Sequence, residues 1–156
     1  MKKLKGVLSV VTAILLVVSL SGCGSNKNVS GTLEEIMEKV YADIPENERP
    51  MMLGNIEVTE ENVVGFLGTE DIEYEEALAS ESMTGSIPHS VVLVRVKDGA
   101  NVDAIKEKIE DSVNPRKWIC VEAEDVEVES KGNLIILIMS SESATEKIEN
   151  SFKNLK

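Results

Sequence analysis

Leu134-Ile135-Ile136-Leu137-Ile138-Met139 places six large apolar side chains in a row, bounded by Lys131-Gly132-Asn133 on one side and Ser140-Ser141 on the other. The run has the length of a strand rather than of a helix. Successive side chains of a strand point to opposite faces, so a run with no polar break must be covered on both. It therefore predicts a central strand. Ser90-Val91-Val92-Leu93-Val94-Arg95-Val96 makes a similar demand, because β-branched residues fill it almost throughout.

The rest of the chain supplies partners for these two strands. Thr32 with Glu35 three residues on is a capping box, and Leu33, Ile36, Met37, Val40, Tyr41 and Ile44 follow at helical spacing until Pro45. Leu53 to Val58 reads as a short strand. Thr59 is expected to cap a small helix carrying Val63, Val64 and Leu67, closed by Gly68. In Thr69 to Met83, Glu75-Glu76-Ala77-Leu78-Ala79 has helical propensity, while the serines and the Thr84-Gly85 turn favour a strand; the strand is the expectation. Asn101 caps a helix whose stripe is Val102, Ile105, Ile109 and Val113, ended by Pro115. Trp118 to Ala123 is expected to be extended. Val126 and Val128 alternate with Glu127 and Glu129, the pattern of a half-exposed strand. Ser143 and Glu146 form a second capping box before a helix packing through Ala144, Ile148, Phe152 and Leu155.

Lys108-Ile109-Glu110-Asp111-Ser112-Val113 echoes Lys147-Ile148-Glu149-Asn150-Ser151-Phe152, and each lies on a helix that follows an apolar strand. Amphipathic patterning alone also produces such matches. The expected fold is α+β: an antiparallel sheet of four to five strands with helices packed on it, with a duplicated ββα unit as one reading of the echo. The last two helices should cover one face and the first helix the other.

The N-terminal segment stands apart. Met1-Lys2-Lys3-Leu4-Lys5 is cationic, Val7 to Leu20 is apolar, and small residues follow, the layout of a secretory signal. Leu20-Ser21-Gly22-Cys23 matches the lipobox of bacterial lipoproteins. That match implies a diacylglyceryl group on the Cys23 sulfur and cleavage before it, with residues 1–22 as signal peptide. Residues 23–30 then form the lipidated cysteine and a flexible spacer, and residues 31–156 a single α+β domain. The expected address is the cell membrane, lipid-anchored and facing the extracytoplasmic side.

After Cys23 is reached, 13 basic side chains stand against 28 acidic ones, a formal charge of −15. Such a surface repels nucleic acid and anionic lipid head groups and leaves cations or basic proteins as partners. With Cys23 used by the anchor, Cys120 has no disulfide partner within the chain. It is expected to be a small buried hydrophobe beside Trp118, Ile119 and Val121.

Chemistry-bearing patterns are sparse. From Pro50 to Val94 there is no Lys or Arg. Glu70, Asp71, Glu73 and Glu75 are weak candidates for a cation site; their spacing is not that of an EF-hand, and a solvated acidic face is the plainer reading. His89 and Cys120 would serve nucleophilic catalysis only if brought within hydrogen-bond reach. Arg116-Lys117-Trp118 is a basic-aromatic cluster of the kind found at protein contacts. One His and one available Cys fall short of a zinc site, and no motif implies a cofactor.

Tyr74-Glu75-Glu76-Ala77-Leu78-Ala79-Ser80-Glu81, His89-Ser90-Val91-Val92-Leu93-Val94-Arg95-Val96 and Asn114-Pro115-Arg116-Lys117-Trp118-Ile119-Cys120-Val121 resemble the bacterial lipoprotein family catalogued as domain of unknown function 4358, common in Gram-positive anaerobes. The resemblance covers most of the chain after the anchor, from the Thr32 helix to about Met139. It implies a surface lipoprotein and carries over no catalytic residue. Two functions stand as expectations: a non-catalytic binding or protein-interaction module, with an envelope protein as the partner in the second case, or a small extracytoplasmic enzyme built on Cys120 and His89 or on an acidic metal site.

Overall fold

The computed structural model describes residues 28–156, so Cys23 and the segment before it lie outside the described residues. The fold is α+β. Five antiparallel strands, β1 (Leu53–Glu57), β2 (Tyr74–Ser82), β3 (Ser90–Val96), β4 (Asp125–Lys131) and β5 (Leu134–Ser140), form one open sheet in the order β1-β2-β3-β5-β4. Four helices accompany it: α1 (Leu33–Val40), α2 (Val63–Leu67), α3 (Val102–Ser112) and α4 (Glu142–Lys153). Among the described residues, no helix is long and apolar enough to cross a membrane.

The two apolar strands sit side by side inside the sheet, with Leu93 opposite Ile136. Every residue of β5 is buried. Its alternation divides the core. Leu134, Ile136 and Ile138 join Val91, Leu93, α1 and α4 on one face, while Ile135, Leu137 and Met139 join Val92, Val94, α2 and α3 on the other. The order ββα does recur, as β2-β3-α3 and β4-β5-α4. However, α3 and α4 lie on opposite faces, which corrects the expectation that they share one. A two-fold rotation exchanging the antiparallel β3 and β5 would keep both helices on the same side. The recurrence is therefore one of element order, imposed by two strands that each need cover on both faces.

β2 is a strand despite the helical propensity of Glu75 to Ala79, because β1 and β3 pair with it on either side. A register shift between Tyr74 and Glu76 leaves Glu75 as the extra residue of a bulge. Pro45 follows α1 as expected, but the helix ends at Val40, with Tyr41 and Ile44 buried in the turns beyond.

Three local expectations fail. The final helix starts at Glu142 with Ser141 as its N-cap, so Ser143 and Glu146 lie inside it and form no capping box. β5 runs extended to Ser140, which leaves Ser141 as the first residue free to turn. The small helix is capped at Asn62 rather than Thr59; the Thr59 N–H donates to Asn62 Oδ1 at 2.7 Å, closing a turn before the helix begins. Trp118 to Ala123 is an irregular loop, with Cys120 at a φ of 61°.

Candidate functional site

The β2–β3 hairpin loop, the start of β1 and the loop after α3 meet at one end of the sheet. Met83 N–H donates to the Met52 carbonyl at 3.0 Å, and Ile119 N–H donates to the Gly85 carbonyl at 3.3 Å. These bonds join three segments into one surface. Met51, Met52, Met83 and Ile119 are all more than half exposed on it, Ile119 at 77%. Cys120 is exposed beside them. The expected buried cysteine is thus corrected: a left-handed backbone at Cys120 turns the segment outward instead of laying it along the core.

Beneath this end lies a buried polar chain. Tyr41 Oη is 2.6 Å from His89 Nε2, and His89 Nδ1 is 2.7 Å from Ser140 Oγ. Ser80 lies near the Tyr41 hydroxyl. All four residues are buried. One polarity satisfies the chain: Tyr41 donates to Nε2, and Nδ1–H donates to Ser140. Burial lowers the His89 pKa to about 4, so the ring is neutral at pH 7. Burial also raises that of Tyr41, against smaller opposing effects of Ser80 and the Arg49 cation. Arg49 lies 5.6 Å from the centre of the Tyr41 ring and donates to the carbonyls of Tyr41 and Ile44 at 2.9 and 3.0 Å.

Both nitrogens of His89 are therefore engaged, while Cys120 is on the surface. The structure does not join them as a catalytic pair. No local pattern pointed to Tyr41 or Ser140 as partners of His89, since they lie 48 and 51 residues away.

The basic-aromatic cluster divides. Lys117 turns inward, donating to Glu81 Oε2 at 2.8 Å and to Ser90 Oγ at 3.2 Å. Its ammonium also lies 4.6 Å from the centre of the Phe66 ring and 5.3 Å from that of Trp118. Burial lowers the Lys117 pKa, opposed by Glu81. Trp118 packs against the core, and its Nε1 is buried without a partner. Arg116 remains outside, paired with Glu122 at 3.2 Å.

The candidate carboxylates also separate. Asp71 pairs with Lys108 at 2.6 Å. Glu70, Glu73 and Glu75, with Glu57, Glu60 and Lys97, line a recess of about 520 Å³ beside the bulge. Tyr74 borders it, its pKa raised by burial and by Glu60. Among the described residues, the carboxylates that converge closely are others: Glu127 and Glu129 of β4 with Glu149 of α4. No family model, curated protein or solved structure matches the chain.

Proposed function

We propose that the chain is a lipoprotein held through Cys23 on the extracytoplasmic face of the cell membrane, whose domain is a non-catalytic module that binds an envelope protein. The domain's polarity carries this reading. Arg95, near the end of β3, donates to the carbonyls of Val29 and Gly31 at 2.9 and 2.7 Å, which supports entry of a spacer from Cys23 at that end of the sheet. The exposed methionines and Ile119 lie at the other end of the same strand, about 20 Å away for seven residues. A chain tethered at one end presents the other to its surroundings.

The chemistry of that end suits a protein contact. Contiguous exposed apolar side chains mark interaction surfaces, and methionine adapts to irregular partners. The formal charge of −15 beyond the anchor disfavours anionic lipid as the occupant. The resemblance to domain of unknown function 4358 agrees with a surface lipoprotein.

Photo-crosslinking residues placed at Met52 and Ile119 in intact cells test the contact, with Glu107 on α3 as control. A discrete adduct is expected from the first two and not from the third. Equal patterns at all three positions would remove the proposed face. Separately, Cys23→Ala should leave the membrane fraction; its retention there would end the anchoring.

A further inference from the structure

The outer strand β4 and helix α4 bring three carboxylates together on the face of the sheet away from the bulged recess. Val128 belongs to the core shared with α3, so Glu127 and Glu129 point to the α4 side. Glu149 meets them from α4. One ligand oxygen from each residue lies within 4.8 Å of the others, and all three residues are half-buried.

The charges are incompletely compensated. Lys153 bridges Glu149 and Glu129, at 3.3 Å from the latter, and Lys106 lies 3.6 Å from Glu129. Glu127 has no ion pair or side-chain hydrogen bond among the described residues. Glu149, Glu129 and Asp125 crowd it with like charge, and Lys106 is the cation that opposes them. Among the described residues, no cation comes within ion-pair distance of this half-buried carboxylate.

An independent observation points to the same place. Thr145 is 3% exposed, and its buried Oγ1 has no hydrogen-bond partner among the described residues. It stands one helical turn before Glu149, on the same flank of α4. The opposite flank faces α1 and the turn after it, where Ser151 donates to Asp43 at 2.9 Å. α4 runs alongside β4, as the contact of Lys131 with the Lys153 carbonyl shows further on. Stepping back two turns from Lys153 puts Thr145 beside the Glu127 end of the cluster. A helical threonine ordinarily turns its hydroxyl to a backbone carbonyl, and this one has no such bond.

We propose that Glu127, Glu129, Glu149 and the Thr145 hydroxyl form a calcium site at the edge of the sheet, completed by water. Coordination argues for calcium over magnesium. Ca²⁺ takes six to eight oxygens in flexible geometry, which suits carboxylates from a strand and a helix completed by water; Mg²⁺ demands a near-ideal octahedron. Lys153 is the internal competitor, its ammonium occupying part of the space the ion takes. Binding would clamp α4 to the exposed edge strand.

The test is calcium titration of the full-length chain in detergent, by calorimetry and thermal unfolding. Saturable binding is expected with Kd of about 10⁻⁴–10⁻³ M, the range of extracellular modules. Glu127→Gln should weaken it at least about tenfold while raising the calcium-free Tm, because it removes a repelled charge, so the lost binding is not lost folding. Thr145→Val should weaken it severalfold, and Lys153→Met should tighten it. Glu73→Gln, on the recess side, should change nothing. The proposal fails if no saturable binding occurs below about 10 mM, well above that range. It fails equally if Glu73→Gln costs as much as Glu127→Gln, which would mean diffuse attraction to an acidic surface.

Discussion

Tyr41 Oη lies 2.6 Å from His89 Nε2 inside the core, tying the turn after α1 to the start of β3. The ring is 1% exposed and sits between this hydroxyl and that of Ser140, with no carboxylate as hydrogen-bond partner. A neutral imidazole satisfies both bonds. An imidazolium would present two donors to two hydroxyls in a dry site, and the Arg49 cation lies close to the same tyrosine.

Stability should therefore fall in mild acid. The folded-state pKa of His89 is about 4 against an ordinary value of 6.5, so between these values the unfolded chain binds the extra proton. The contribution is fully present above about pH 6.5, and it is lost as pH falls towards 4. Its size is on the order of 2–4 kcal/mol. Urea unfolding at pH 7.0 and 4.5 should show a larger loss for the parent chain than for His89→Gln. Equal losses would mean that the carboxylates alone drive the acid response.

Gly68 closes α2 in a left-handed conformation, with φ of 77°. A Cβ built there would fall 2.0 Å from the Ser112 carbonyl oxygen at the end of α3, so α2 and α3 meet where only a hydrogen fits. Gly68→Ala should cost roughly 2–4 kcal/mol from strain and overpacking together. Gly65, with nothing within 4 Å of its built Cβ, provides the contrast. Gly65→Ala should gain about 0.5–1 kcal/mol by helix propensity. Urea midpoints moving in opposite directions would confirm the close approach; a neutral Gly68→Ala would refute it.

Cys120 is exposed and strained, so it should react with maleimide in the folded chain at a rate within about tenfold of that in urea. Cys120→Gly should stabilise by about 1 kcal/mol, since glycine adopts positive φ without a Cβ clash. Protection of the thiol in the native state would contradict the outward turn of the loop.

The main elements were legible because burial leaves a periodic trace. Leu134 to Met139 and Ser90 to Val96 demanded cover on both faces, and the structure provides it. Gly132-Asn133 joins β4 to β5 with Lys131 opposite Leu134, as a two-residue connection requires. The faces taken by α3 and α4 were not legible, because an amphipathic stripe records that a helix is covered and not by which side of a sheet. Nor was the setting of His89, whose partners come from the turn after α1 and from β5. Trp118 to Ala123 was expected to be extended, yet the core is already filled by β3 and β5, and the segment turns outward at Cys120.

Lys117 and Glu81 decide how much of the basic-aromatic cluster is free for a partner. Their side chains are 14% and 16% exposed, and they meet at 2.8 Å with Ser90. Burial lowers the lysine's pKa despite the carboxylate beside it, so the pair offsets its own desolvation only in part. Removing one member is then worse than removing both. Lys117→Met alone should cost roughly 2–4 kcal/mol, somewhat below a fully buried pair because some solvent reaches both groups. Lys117→Met combined with Glu81→Leu should return to within about 1 kcal/mol of the parent. Urea midpoints of the two singles and the double measure this coupling. Lys117→Met without effect would mean that the ammonium does not hold the loop after α3 to the sheet, and all three residues of Arg116-Lys117-Trp118 would have to be tested as contact residues. With the coupling present, Arg116→Glu is the substitution that probes the partner without disturbing the fold, because among the described residues the Arg116 side chain pairs only with the exposed Glu122.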